Sequence, residues 1–178
     1  PKKGIAELLR AWQLFKRADA ASVNWHLVLA GWDQNGTENR MRSLAKQLDL
    51  DGSVHFVGPQ IGAAKAATLA SASAFILPSF SEGLPVAALE ALAYGLPAVL
   101  TTACNLPEAF SVGAAIPVQP EPGSIAEGLG ALARQFSSSE SSAAAGAAGQ
   151  RLVEQSFSWN EISRQMVAVY RWLAGLGP

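Results

Sequence analysis

The sequence predicts an α/β fold: a three-layer arrangement in which a parallel sheet carries helices on both faces, followed by a C-terminal helical segment. Three observations predict it. Short, mostly apolar runs of strand length alternate with stretches of helical periodicity up to residue 118. Such alternation requires crossover helices, and crossovers bury a parallel sheet on both sides. After residue 120 the strand-like runs stop and only helical patterns remain.

The elements follow in order. Ile5, Leu8, Leu9, Trp12 and Phe15 recur at helical spacing. Trp25-His26-Leu27-Val28-Leu29-Ala30-Gly31 is strand-like and ends on glycine. Residues 37–48 read as a polar-faced helix with Met41, Leu44 and Leu48 inward, and Val54-His55-Phe56-Val57-Gly58 as the second strand. Residues 63–73 are a small-residue helix, and Ala74-Phe75-Ile76-Leu77 the third strand. Residues 78–83 carry turn chemistry, Pro85 suits a first helical position, and residues 86–94 form a helix closed by Gly95. Residues 97–100 and 114–118 are the fourth and fifth strands, with one helical turn at 106–110 between them. Residues 124–136, 143–155 and 159–174 are three further helices, and the Ser- and Ala-rich stretch 137–150 reads as an exposed loop feeding a weakly specified helix. Trp12, Trp159 and Trp172 fall in apolar stripes and are expected in the core.

Length and composition bound the function. A chain of 178 residues fits one domain, burying roughly 70% of its unfolded surface. No internal repeat or domain boundary is visible. Apolar residues make up 49%, charged residues 15%, and the formal net charge is -1, which offers no basic surface for nucleic acid. No apolar run approaches the ~20 residues of a membrane span, and Pro1-Lys2-Lys3-Gly4 leads straight into a helix with no signal peptide. Cys104 is the only cysteine, so the chain has no internal disulfide and no cysteine metal cluster. His26 and His55 sit within strands at no metal-binding spacing and read as structural polar residues. These features lead us to expect a cytoplasmic protein.

The chemistry concentrates in Glu82-Gly83-Leu84-Pro85-Val86-Ala87-Ala88-Leu89-Glu90, two carboxylates with seven residues between them at a strand-to-helix junction. A helix start offers unpaired amides and a partial positive charge, which suit an anion. Glu82 stands at the lip of that site, and Glu90 lies about 8 Å into the helix by its rise per residue. Ligands of parallel sheets bind beyond the carboxyl ends of the strands, where Gly31, Gly58 and residues 78–83 all lie. A phosphate on the amides and a polyol on a carboxylate suggest a nucleotide-sugar site.

The segment FILPSFSEGLPVAALEALAYGLPAVLTTACNLPE, residues 75–108, closely resembles the donor-binding half of retaining group-one (family four) glycosyltransferases of the GT-B fold. The family pattern of Pro-Ser, Glu-Gly and Glu-Ala is present, and Gly95-Leu96-Pro97-Ala98-Val99 stands where the family has Gly-x-Pro-Val. Lys3-Gly4, Leu29-Ala30-Gly31, residues 54–58 and Phe157-Ser158-Trp159 agree with it, so the resemblance covers essentially the whole chain. It implies a Rossmann-like domain, one half of a GT-B enzyme of glycan biosynthesis. It also implies a nucleotide-diphosphate sugar donor, retaining transfer, no cofactor and no metal. Lys3 is then expected at the donor diphosphate. The backbone around Gly83, Leu84, Pro85 and Val86 is expected at the phosphate and transferred sugar, Glu82 at the sugar hydroxyls as the catalytic carboxylate, and Glu90 at the ribose. The Val57-Gly58-Pro59-Gln60 turn is expected to face the base. Glu108 is expected either to cap its short helix or to approach the donor.

Three departures accompany the match. The arginine and first strand that precede the family lysine would lie outside a chain beginning at Pro1. A longer loop, Gly31-Trp32-Asp33-Gln34-Asn35-Gly36, replaces Gly-x-Gly, and Gly83-Leu84-Pro85-Val86 replaces the commoner Gly-Phe-Gly-Leu. The resemblance assigns the acceptor site to a missing N-terminal half, through which any peripheral membrane contact would run. Two other readings stay open at this point: half of a sugar-nucleotide epimerase, and a stand-alone nucleotide-sugar-binding module. A nicotinamide dehydrogenase is disfavoured, because no Gly-x-Gly-x-x-Gly follows a strand.

Overall fold

The structure is a computed structural model that describes residues 2–18, 22, 24–33 and 36–177. Pro1, and Gln34 and Asn35 of the longer loop, lie outside these residues. Helices and strands alternate as α1 (Ile5–Ala18), β1 (Leu27–Ala30), α2 (Thr37–Gln47), β2 (Val54–Gly58), α3 (Ala63–Ser71), β3 (Phe75–Leu77), α4 (Val86–Ala93), β4 (Ala98–Thr101), α5 (Pro107–Ser111) and β5 (Ala115–Val118). Three helices follow: α6 (Pro122–Phe136), α7 (Ser139–Leu152) and α8 (Trp159–Leu173). A π-helical turn, Val153–Phe157, joins the last two.

All described strand pairs are parallel, in two separate ladders: β1 with β2, and β3-β4-β5 with β4 in the middle. The four residues of β4 are fully buried, and successive side chains enter different cores. Val99 packs with Leu8, Leu9, Trp12 and Phe15 of α1 and with Ile125, Leu129 and Leu132 of α6. Ala98 and Leu100 pack with Ala88, Leu89 and Leu92 of α4, Ala109 of α5 and Leu152 of α7. This period-two switch is the signature of a sheet covered on both faces, and each large apolar side chain so buried contributes about 1.5–3 kcal/mol. The rings of Trp12, Phe15, Trp25 and Phe136 form a chain with centroids 5.5, 5.9 and 5.5 Å apart that ties α1 to α6. Helix α7 approaches α4 so closely that a Cβ on Gly146 would lie 2.3 Å from the Gly95 carbonyl oxygen.

The structure corrects four expectations. Residues 137–150 are not a long loop: α7 begins at Ser139, and the Ser138 hydroxyl caps it by accepting from the Ser141 amide. Small residues, which weaken the helical pattern, are what let α7 sit against α4. Trp159 and Trp172 are not core but 85% and 70% exposed, because α8 buries no residue and packs chiefly on the preceding π-helical turn. An apolar stripe reveals amphipathicity but not what covers it. His26, expected within the first strand, lies just before β1, because pairing with β2 starts at Leu27; it and His55 are exposed and bond to each other, Nδ1 to Nε2 at 2.9 Å. Pro85 is the N-cap residue of α4 rather than its first helical residue. No described helix is long and apolar enough to cross a membrane.

Candidate functional site

Because the strands within each ladder are parallel, the segments after β1 and β2 emerge at one end of their ladder, and those after β3 and β4 at one end of theirs. The Gly31 amide, just past β1, donates to the carbonyl of Gly58 at 3.0 Å. The loop after β3 is fastened on two sides. On one side, the Phe80 amide donates to the Lys2 carbonyl at 2.9 Å. Gly4, at φ 63°, presses against Pro78, and a Cβ there would lie 2.0 Å from the Pro78 carbonyl oxygen. Only glycine meets both demands. On the other side, the Glu82 amide donates to Ala103 at 3.0 Å, the Thr101 hydroxyl to the Ser79 carbonyl, and the Asn105 amide group to the Gly83 carbonyl at 3.4 Å.

These anchors aim one carboxylate. Glu82 Oε1 accepts from Lys3 Nζ at 2.7 Å and from the hydroxyl of buried Ser79 at 2.5 Å. The glutamate side chain is only 13% exposed, while the lysine is 61% exposed. Burial pushes the Glu82 carboxyl up, but the bonds from Lys3 and Ser79 and the charges of Lys3 and Lys2 outweigh it and hold the carboxyl below its ordinary value. Glu82 is therefore an anion at neutral pH. Lysine has three donors, so Lys3 keeps two beyond its bond to Glu82.

At the start of α4 the amides of Ala88 and Leu89 turn back to the Pro85 carbonyl, at 2.8 and 3.1 Å. The Val86 amide, expected to face phosphate, donates instead to Leu84 at 2.9 Å. The amides of Gly83, Leu84 and Ala87 take no hydrogen bond among the described residues. They are the open donors of this helix end, and Ala87 adds one that sequence reasoning did not single out. Leu84 and Val86 are solvent-exposed beside them.

Glu90 lies further along α4. Its Oε1 accepts from Lys65 Nζ of α3 at 2.6 Å, and the two side chains flank a cavity of about 240 Å³ lined also by Gly62, Leu69, Ala93 and Tyr94. Lys65 escaped the sequence reading. The signal available was that it is the single charged residue of α3. The Val57-Gly58-Pro59-Gln60 turn sits at the end of β2, with Gly58 at φ 68° and the Gln60 side-chain amide donating to the Val57 carbonyl at 3.0 Å. The structure thus joins Lys3 to Glu82, places Gly83, Leu84, Pro85 and Val86 beside them, and sets Glu90 apart with its own lysine.

Two further groups stand aside. Cys104 is buried, with its sulfur 3.3 Å from the Thr101 hydroxyl, and burial pushes its thiol up, against a nucleophilic role. Glu108 is exposed in the first turn of α5, where Leu106 is the N-cap residue and no side chain caps the helix. Among the described residues no three His, Cys, Asp or Glu side chains gather to hold a metal.

Known proteins resemble this chain in sequence and in fold. The family of Glycosyl transferases group 1 matches residues 1–150. The MMP alpha-(1->4)-mannosyltransferase of Mycolicibacterium hassiacum is 31% identical over 170 residues, covering 96% of this chain and 40% of that protein. Sucrose-phosphate synthase from Thermosynechococcus elongatus superposes with a TM-score of 0.78 at 26% identity, covering 99% of this chain and 43% of that one. The C-terminal domain of the group 1 glycosyl transferase LpcC from Francisella tularensis has the same fold, with a TM-score of 0.73 at 22% identity over 89% of this chain and 81% of that one. The chain spans about two fifths of the length of the first two proteins. Its sequence match, its parallel α/β architecture and its carboxylate-bearing rim agree: the chain belongs to the group 1 glycosyl transferases, as a C-terminal domain of the GT-B fold.

Proposed function

We propose that this chain is a single nucleotide-sugar-binding domain, the donor half of a cytoplasmic glycosyltransferase working by retaining, metal-independent transfer. The observation that carries the reading is the Lys3–Glu82–Ser79 cluster beside three open amides at the start of α4. Breaking the bond between sugar and diphosphate leaves positive charge on the sugar and negative charge on the leaving group. The open amides and the two remaining donors of Lys3 meet the negative charge, with the partial positive charge of the helix behind them. Ionised Glu82 faces the sugar and gains attraction as the ring becomes cationic. Because these groups are fixed before reaction, little reorganisation accompanies the charge separation. Glu90 takes the ribose hydroxyls, and the 57–60 turn the base.

The acceptor belongs to a second domain across the cleft. The mannosyltransferase and sucrose-phosphate synthase relatives favour a hexosyl donor. Calorimetry with UDP, GDP and ADP, with and without EDTA, tests the donor site. One of the three should bind this chain with the same affinity in both conditions. Binding of none, or binding only with a divalent cation, would overturn the reading.

A further inference from the structure

The Lys65–Glu90 pair carries an inference that rests on the ribose reading of Glu90 and deepens it. We propose that Lys65 is a positioning residue of the donor site. It clamps one oxygen of the Glu90 carboxylate, so that the other is presented to the vicinal diol of the ribose.

Several observations support this role. Lys65 and Glu90 come from different helices, 25 residues apart, and meet at 2.6 Å. Lys65 is the single charged residue of α3, a helix with no buried residue, so core packing does not dictate its place. Among the described residues, Glu90 is the only carboxylate lining the cavity between the two helices. A carboxylate has about four acceptor positions. The lysine uses one on Oε1 and leaves capacity for two ribose hydroxyls.

The clamp does two things. A glutamate 37% exposed on a helix surface would otherwise sample several rotamers, and ligand binding would have to order it. Lys65 also offsets the Glu90 charge, which would otherwise repel an incoming diphosphate at the start of α4. The pair therefore serves ligand selection more than fold stability, since exposed ion pairs stabilise little.

The experiment titrates this chain with UDP, GDP and ADP, then compares the tightest binder with its 2′-deoxy form. Wild type should bind the 2′-deoxy form about tenfold more weakly, as expected for one hydrogen bond to a charged group. Lys65→Met should weaken the ribonucleotide severalfold and shrink the preference for ribose towards unity. Lys65→Arg should restore most of both. Matching thermal unfolding among the variants separates this from loss of fold, and the partial exposure of Lys65 makes the substitutions mild. Unchanged affinity and ribose preference in Lys65→Met, with Glu90→Gln impaired, would overturn the role of Lys65 and leave the ribose reading standing. Unchanged binding in Glu90→Gln would overturn the ribose reading, and the role of Lys65 with it.

Discussion

Glu82 and Glu90 belong to one loop-and-helix unit, and each bonds through Oε1 to a lysine from a distant element, at 2.7 and 2.6 Å. Their settings differ. Glu82 is nearly enclosed, shares its oxygen between Lys3 and buried Ser79, and sits in a loop fastened to both the 2–4 segment and the 101–105 segment. Glu90 is half-exposed beside an open cavity and has one partner among the described residues. The same pair of chemical groups thus makes a fixed device at one end and an adjustable one at the other. Fixed charge suits the reacting sugar, where a shifted carboxylate would lose its effect. An adjustable carboxylate suits a diol that arrives and leaves with the nucleotide.

The largest effect that could break this contrast comes from the backbone. Gly4→Ala puts a methyl group on the Pro78 carbonyl and forces alanine to φ 63°. It should destabilise the chain by about 2–4 kcal/mol, the range of overpacking combined with backbone strain. Gly62→Ala, at φ 53° beside the Glu90 cavity, meets no atom within 4 Å and should cost only about 1–2 kcal/mol of strain. Urea denaturation of the two variants measures both. Equal losses would show that the two ends are equally rigid.

Next comes Lys3→Ala. Removing an ammonium that contacts phosphate oxygens should weaken nucleoside diphosphate binding by roughly 1.5–3 kcal/mol while leaving nucleoside binding nearly intact. Equal weakening of both ligands in calorimetry would mean that Lys3 serves only Glu82.

The smallest effect is on acid stability. The Glu82 carboxyl lies below its ordinary value of 4.5. Its contribution to stability is therefore fully present above the unfolded value and is lost as pH falls through the lower, folded one. Glu82→Gln should flatten the decline of stability below about pH 4.5. Denaturation midpoints measured across that range test it, and an unchanged acid slope would mean that the carboxylate is not held by its partners.

Much of the fold was legible because it rests on local pattern. The strand ending at Leu77, the turn after it and the helix from Val86 follow from apolar runs, turn residues and the proline-to-glycine span. So did the two glutamates and their rim. What escaped depends on partners far along the chain. Lys65 meets Glu90 across 25 residues, and Lys3 meets Glu82 across 79, so no local spacing reveals either bond. Glycines 146 and 149 look like weak helix formers, yet they bring α7 against α4. Trp159 and Trp172 lie on an amphipathic helix whose cover no periodicity can name.

The most direct test of the division between the two carboxylates is a side-by-side titration of Glu82→Gln and Glu90→Gln with the nucleoside diphosphate that binds the native chain. Glu90→Gln should weaken binding by about 10–100-fold, the loss expected for a charged hydrogen bond, while Glu82→Gln leaves it nearly unchanged. The reverse result, with Glu82→Gln abolishing nucleotide binding and Glu90→Gln leaving it intact, would contradict the placement of the donor along α4.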